Sequence, residues 1–513
     1  MKKHKMIISV MALMIVLTIS LSCQSQKQNS ERPLSYEPRY VPLLQGAYSH
    51  VGSIGVEGLA AEEKGKLLMN IEAGQTLDSV KLMARMSEKD LIEIHAVADV
   101  KGKAQVPFEA LPLGTMALEI HLKTNAAHGI KERVDVNVTG LELGENRYNI
   151  KPTKDVPAYR LAKALRSYGF EGIHSFRIPG MVTTTKGTVL AVYDIRRNSS
   201  VDLQGDIDVG LSRSVDGGNS WEPMKVIMNM GQWGGLPEDQ NGIGDPAILV
   251  DHETGHIWVA ALWAHGKPGK MIWNSSEPGM EPKETGQLML VKSEDDGLTW
   301  SDPINITEQT KNSKWHLFFN GPGKGITMKD GTLVFPAQYK DEDQMPHSTI
   351  IYSKDKGETW HTGTGAKSNT TEAQVVELPN GSLMLNMRDN RGGSRSISVT
   401  EDLGKTWAEH STSRGALIEP VCMASIIDNP FQDNMFLFSN PADEMARMNM
   451  TIKVSNDNGQ TWPENLQLLL DEGRGWGYSC LTMINEKEVG ILYESSVANI
   501  TFQIIPLADI IGK

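Results

Sequence analysis

Ser293-Glu-Asp-Asp-Gly-Leu-Thr-Trp300 is one of five copies of the pattern S/T-x-D-x-G-x-S/T-W; the others run Ser214 to Trp221, Ser353 to Trp360, Thr400 to Trp407 and Ser455 to Trp462. One copy could be chance, but five at spacings of 47 to 79 residues are an architecture. Each copy follows a strand-like apolar run, as Gln287-Leu-Met-Leu-Val291 does here, and precedes another. The box itself reads as a hairpin turn. Its Asp can accept from backbone N–H groups of the turn, its Gly supplies a positive φ, and its Trp packs back between sheets. Repeated units of this size suit four-stranded blades around an axis. The expected fold is all-β, with residues 158–513 forming a six-bladed β-propeller, five of whose blades carry a box.

Ahead of the boxes the pattern changes. Lys66-Leu-Leu-Met-Asn-Ile71, Ile92-Glu-Ile-His-Ala-Val97, Met116-Ala-Leu-Glu-Ile-His121 and Val134-Asp-Val-Asn-Val138 alternate apolar and polar residues with period two, as half-buried antiparallel strands do. Residues 41–157 are therefore expected to form an accessory β-sandwich, and Ala158 to Tyr168 a short helix or linker into the propeller. Lys2, Lys3 and Lys5 followed by the apolar run Met6 to Leu21 read as a signal peptide over residues 1–22, with residues 23–40 a tether. The protein is expected to be exported to the periplasm, outer membrane or cell surface. Cys23 is placed to carry a lipid that attaches the chain to a membrane; cleavage and release is the alternative. The remaining cysteines, Cys422 and Cys480, lie in apolar strand-like contexts and do not read as a disulfide framework.

A formal net charge of −13 argues against nucleic acid as a partner, whose phosphates require a basic surface. An anionic ligand would need a local arginine cluster on this acidic background. His174-Ser-Phe-Arg-Ile-Pro-Gly180 offers one such arginine. Phe176 and Ile178 form strands and Pro179 cannot donate to a ladder, so the stretch reads as a short innermost or edge strand ending abruptly. Arg177 within it pairs with either a carboxylate of the fold or an anion. His252-Glu-Thr-Gly-His256 fits H-E-x-x-H, but it reads as a polar turn between strands rather than a zinc-binding helix. Gly321-Pro-Gly-Lys-Gly325 lacks the spacing of a phosphate loop and reads as a tight turn.

Phe176-Arg177-Ile178-Pro179 followed by the repeated boxes resembles the bacterial sialidases (neuraminidases) from about Gly172 to Pro506, and the leading domain is similar to that found ahead of the propeller in gut-bacterial sialidases. The resemblance implies a six-bladed propeller with the boxes remote from the active site. It also implies a retaining exo-α-sialidase that releases terminal sialic acid from glycoproteins, glycolipids and oligosaccharides, without cofactor or metal. Sialic acid carries a carboxylate on its anomeric carbon, which calls for guanidinium groups. The family's three arginines correspond to Arg177, Arg388 in Leu383-Met-Leu-Asn-Met-Arg-Asp389, and Arg447, eight residues before the last box. Arg391 and Arg395 rival the second. By the same resemblance Tyr478 is the nucleophile, Glu372 its base and Asp202 the acid/base; Asp206 and Asp208 are nearby rivals for the last role, though Asp208 alternates with apolar neighbours in the next strand. Arg196 is then an additional pocket arginine, Asp245 contacts the sugar's hydroxyl or N-acyl region, and Glu494 orients Arg177. From the residues alone, Tyr478 reads as a core tyrosine and Glu372 as a turn glutamate in preference to catalytic groups. Three alternatives stay open: a non-catalytic sialic-acid-binding propeller, a trans- or anhydro-sialidase, and a zinc peptidase using His252 and His256.

Overall fold

Apolar residues in alternating or continuous runs make the regular secondary structure almost wholly strands in the computed structural model, which describes residues 33–59, 63–72, 75–125, 128–265, 267 and 270–512. The stretch read as a signal peptide, Cys23 and the first part of the stretch read as a tether lie outside the described residues.

Nine strands of the leading domain follow one hydrogen-bonded path. It runs Leu91–Lys101, Thr76–Arg85, Ala117–Lys123, Tyr48–Gly55, Leu34–Pro38, Asn146–Pro152, Val136–Leu143, Gly65–Ile71 and Lys103–Phe108. The two ends of the path are consecutive in sequence and meet at Gly102, so the sheet is nearly closed upon itself. The β-sheet domain expected as a sandwich is thus one wrapped sheet around Leu67, Leu82, Ile120 and Leu141, all wholly buried. Leu34–Pro38, within the stretch read as tether, is a paired strand of this sheet.

Tyr159–Arg166 is neither helix nor linker. It is a strand that pairs antiparallel with Ile500–Pro506. The Ala, Leu and Lys of this stretch favour a helix, but tertiary pairing overrides that weak preference. Tyr159, Leu161, Ala162 and Leu165 are all buried in the sheet. The consequence is a ring closed by both ends of the propeller sequence, with Tyr159–Arg166 as the outer strand on Ser479–Asn485, Glu488–Tyr493 and Ile500–Pro506. Two strands of the leading domain, Leu43–Leu44 and Arg133–Val134, also pair with Tyr159–Arg166. Arg160 Nη1 lies 2.6 Å from Asp509 Oδ2, and Tyr159 Oη donates to Val51 O at 3.0 Å.

The other blades are each continuous in sequence, and the six together form the propeller. Their innermost strands include Ser175–Thr183 in blade one, Asn241–Val250 in blade two, Thr370–Glu377 in blade four and Ser425–Asp428 in blade five. The sixth begins with Ser479–Asn485. Every box joins the third and fourth strands of its blade; the sixth has none because its third strand is the last of the propeller.

The boxes share one set of bonds. In blade three, Ser353 Oγ donates to Asp355 Oδ1 at 2.8 Å and accepts from Gly357 N–H at 2.8 Å, while Thr359 donates its N–H to Oδ1 at 2.9 Å and its hydroxyl to Oδ2 at 2.5 Å. Gly357 has φ 92, and a Cβ there would stand 2.3 Å from the Trp258 ring of the preceding blade. Trp360 fills the seam, with ring centroids 6.1 Å from Trp258 and 5.7 Å from Phe335. The turn therefore seals adjacent blades as well as reversing the chain. Slight burial acts to raise the Asp355 carboxyl, but the Thr359 bonds outweigh it and take it down to about 2.

A carboxyl lowered on folding stabilises the fold above its unfolded value of 3.8, and that contribution disappears as pH falls through about 2. Asp355→Ala should cost about 1–2 kcal/mol at pH 7, the scale of a lost capping side chain. Thermal unfolding checks this. The gap from the unaltered protein should close near pH 2; equal stability at neutral pH would contradict the role given to the box.

Candidate active site

The innermost strands break register at one end of the propeller. The shifts fall between Arg177 and Gly180, between Gly244 and Ala247, and between Thr370 and Ala373. Each leaves two residues outside the ladder: Ile178-Pro179, Asp245-Pro246 and Thr371-Glu372. Such bulges re-aim side chains, and proline suits them because it has no N–H to leave unpaired. The strand bearing Arg177 therefore does not end at Pro179 but bulges there and runs on to Thr183. Ile178 has φ 61, an unfavourable value for a β-branched residue. It is held there by a bond from its N–H to Glu494 Oε1 at 3.0 Å.

Glu494 also takes Arg177, with Nε 2.5 Å from Oε1 and Nη2 3.3 Å from Oε2. Its second oxygen accepts from Tyr478 N–H at 3.1 Å. Burial works to lower the Arg177 guanidinium, but the Glu494 charge outweighs it and holds it above its usual value. The indole of Trp476 covers Arg177, with the guanidinium carbon 4.4 Å from the ring centroid.

Tyr478, Glu372 and Arg388 meet directly, although they come from blades six and four. The phenol donates to Glu372 Oε1, Arg388 Nη1 reaches Glu372 Oε2 at 2.7 Å, and the same Nη1 donates to Tyr478 Oη at 3.0 Å. Burial first, then the Glu372 charge, pushes the Tyr478 phenol well above its ordinary range, while Arg388 and Arg447 work the other way. The guanidinium carbons of Arg177 and Arg447 lie 5.5 Å and 5.6 Å from the Tyr478 ring centroid. Arg447 sits in the loop before strand Met450–Ser455, and its Nη1 and Nη2 donate to the carbonyls of Trp476 and Val421, each at 3.0 Å. Among the described residues it has no carboxylate partner. Arg391 and Arg395 are engaged elsewhere, with Asp389 at 3.0 Å and Glu419 at 2.8 Å respectively.

A third set comes from blades one and two. Asp202 lies on the loop after strand Val189–Arg196, its side chain 57% exposed, 2.6 Å from Arg196 Nη1. Burial would raise this carboxyl, but Arg196, Arg177 and Arg447 overcome it and hold Asp202 below its ordinary range. Asp206 and Asp208 instead face Arg197, at 3.6 Å and 2.5 Å. Asp245, φ 57, is raised well above the usual carboxylate range by burial and by the charges of Asp194, Asp202 and Glu372.

Sequence reasoning passed over two residues here. Asp194 is 1% exposed, holds Arg196 at 2.8 Å, accepts the N–H of Asp245 at 2.9 Å and is raised to about 6, chiefly by burial. Its position two residues before Arg196 in one strand, hence on the same face, was the available signal. Trp476 is the other, and its Gly-rich setting beside Tyr478 pointed to a turn only.

His252-Glu-Thr-Gly-His256 lies on the turn between strands Asn241–Val250 and Ile257–His265, not on a helix. His252 lines a cavity of about 800 Å³, with Val182, Val250, Glu377 and Met483, at the opposite end of the innermost strands. Among the described residues, the group with metal-ligand character is His50, Glu119 and His121, in the leading domain. Arg39 Nη1 stands 2.7 Å from His50 Nδ1, and Arg85 Nε 2.5 Å from Glu119 Oε1, so these groups already serve an ion-pair network.

Residues 187–492 match the family described as a BNR repeat-like domain. The chain is 56% identical over 358 residues to a sialidase of Bacteroides fragilis, covering 69% of this chain and 66% of that one. It is 32% identical over 341 residues to a sialidase of Micromonospora viridifaciens, covering 64% and 50%. The chain thus spans about two thirds and half of these curated relatives. Among solved structures, a Hadza microbial sialidase, Hz136, superposes with a TM-score of 0.87 at 41% identity, over 93% of this chain and all of that one. With a box-marked six-bladed propeller carrying arginines, tyrosine and glutamate at one end of its axis, the chain belongs to the bacterial sialidases.

Proposed function

We propose that the protein is a retaining exo-α-sialidase that releases terminal sialic acid from glycoproteins, glycolipids and oligosaccharides. The observation that carries this reading is the placement of Tyr478 Oη against Glu372 and Arg388, with Arg177 and Arg447 flanking the same ring. Both the substrate carboxylate and a nucleophile for the carbon bearing it are thereby provided for.

In this reading Arg177, Arg388 and Arg447 take the substrate carboxylate. Among the described residues the side-chain hydrogen bonds of Arg388 come from Nη1, which leaves Nη2 as a donor for the incoming oxygen. A carboxylate nucleophile would be repelled by that same carboxylate; a phenol is neutral until its proton leaves. Glu372 removes the proton as Tyr478 Oη attacks the anomeric carbon, and Arg388 stabilises the developing phenolate. Because the resting phenol is held well above its usual range, the base acts during attack rather than before it. Asp202 gives a proton to the departing oxygen, then takes one from the water that cleaves the tyrosyl intermediate, so two displacements give net retention. The depressed resting state of Asp202 supports coupling to binding: a carboxylate on Arg177 and Arg447 offsets two of the charges that hold its proton off. In this reading Asp245, whose N–H is held by Asp194, meets the sugar's hydroxyl or N-acyl groups.

Tyr478→Phe should lower kcat by about 10³-fold or more with the fold intact, since only the nucleophilic oxygen is lost. Steady-state rates with an aryl sialoside check this, and near-normal turnover would remove Tyr478 from the mechanism.

Asp202→Ala should reduce kcat/KM for natural sialosides by about 10²-fold or more, and for an aryl sialoside far less, because a phenolate of low pKa leaves without a proton. Arg447→Ala should weaken both alike, since each substrate carries the same carboxylate. Equal losses on both substrates in the Asp202 variant would pass the acid role to a neighbour such as Asp206.

A further inference from the structure

Arg395 and Glu419 form an ion pair with side chains 0% and 1% exposed, Nη1 standing 2.8 Å from Oε2. It joins two segments of chain. Glu419 Oε1 accepts the backbone N–H of Asp389 at 2.7 Å, directly after Arg388, and Oε2 accepts that of Cys422 at 3.2 Å. Arg395 donates from Nε to Asn386 Oδ1 at 2.7 Å, from Nη2 to the Asn386 carbonyl at 3.1 Å and from Nη1 to the Cys422 carbonyl at 2.6 Å. Asn386 and Asp389 flank Arg388 in strand Leu383–Asp389. The segment from Glu419 to Cys422 leads into blade five, and its Val421, φ 53, gives its carbonyl to Arg447 Nη2 at 3.0 Å. Cys422 packs with Ile178, Met423 and Tyr478.

We propose that Arg395 and Glu419 are positioning residues that fix Arg388 and Arg447 relative to each other, so that both guanidinium groups meet one substrate carboxylate. The inference rests on the sialidase reading of the pocket. Two carboxylate oxygens can be shared by guanidinium groups only over a narrow range of separations, because charge-assisted bonds are short and directional. Arg388 and Arg447 come from different blades, so their spacing is not set by any one strand ladder. The buried pair bonds to the backbone on both sides of that gap, in the way that outer partners orient the ligands of a metal. An apolar pair of similar volume could fill the space and keep the fold, since a buried ion pair is weak evidence for stability. It could not hold the backbone at Asn386, Asp389 and Cys422 together.

That difference supplies the test. The double variant Arg395→Met/Glu419→Leu, checked by circular dichroism and thermal unfolding, should fold, raise KM for an aryl sialoside about tenfold or more and change kcat much less, the pattern of lost ground-state binding. Arg395→Lys keeps the charge but cannot bridge Asn386 and Cys422 at once, and should shift KM in the same direction. A folded double variant with unchanged KM would overturn the proposal. If the double variant does not fold, Arg395→Lys decides: an unchanged KM there would equally overturn it. Absence of turnover by the unaltered protein would instead overturn the sialidase reading, so the two failures are distinguishable.

Discussion

One carboxylate, that of Glu494, ties the first blade to the last at the point where the pocket forms. It accepts from Arg177 Nε and Nη2 and from the backbone N–H groups of Ile178 and Tyr478, with a side chain 0% exposed. Each partner needs it. Arg177 is 4% exposed and its charge could not remain there unpaired. Ile178 sits at an unfavourable φ that leaves its N–H outside the ladder, and Tyr478 follows Gly477 at φ 86, a turn that sets the direction of its ring. Glu494 thus joins the first and last blades at the pocket, holds a strained backbone and fixes the proposed nucleophile with a single group.

The pocket's electrostatics follow a pattern around this pair. Arg177 has Glu494, Arg196 has Asp194 and Asp202, and Arg388 has Glu372. Arg447 is held only by carbonyl oxygens and, among the described residues, has no carboxylate partner. A chain with a net charge of −13 therefore keeps a guanidinium with no carboxylate in contact beside Tyr478, where an anion would be attracted. The paired arginines are pre-oriented and add hydrogen-bond geometry. Burial, then the charges of Asp194, Asp202 and Glu372, holds the Asp245 carboxyl well above its usual range.

Much of this was legible in the sequence because the decisive signals were local. A box is eight residues whose bonds lie almost wholly within it, as Ser353 to Thr359 illustrates, so its repetition announced the blades directly. The residues brought together at the pocket were reachable through the family resemblance, since Glu372 and Tyr478 are 106 positions apart and no spacing rule joins them. What stayed hidden was set by distant partners. Tyr159–Arg166 has a helix-like composition and becomes a strand because Ile500–Pro506 and two short strands of the leading domain pair with it. The single wrapped sheet could not be told from a sandwich, because both give the same alternation of apolar and polar residues. Arg395, a rival for the clamp by sequence, is taken up by Glu419, a residue no local pattern singled out.

In the proposed mechanism the Tyr478 oxygen becomes covalently bonded to the sugar during turnover. This step is tested most directly by incubating the protein with a 2,3-difluoro derivative of sialic acid, whose electronegative substituent slows release of a glycosyl-enzyme, and locating the added mass by peptide mass spectrometry. One sugar per chain is expected, on the peptide bearing Tyr478 and at its phenolic oxygen. An adduct on Glu372 or Asp202, or turnover of the compound with no adduct at any time, would contradict it.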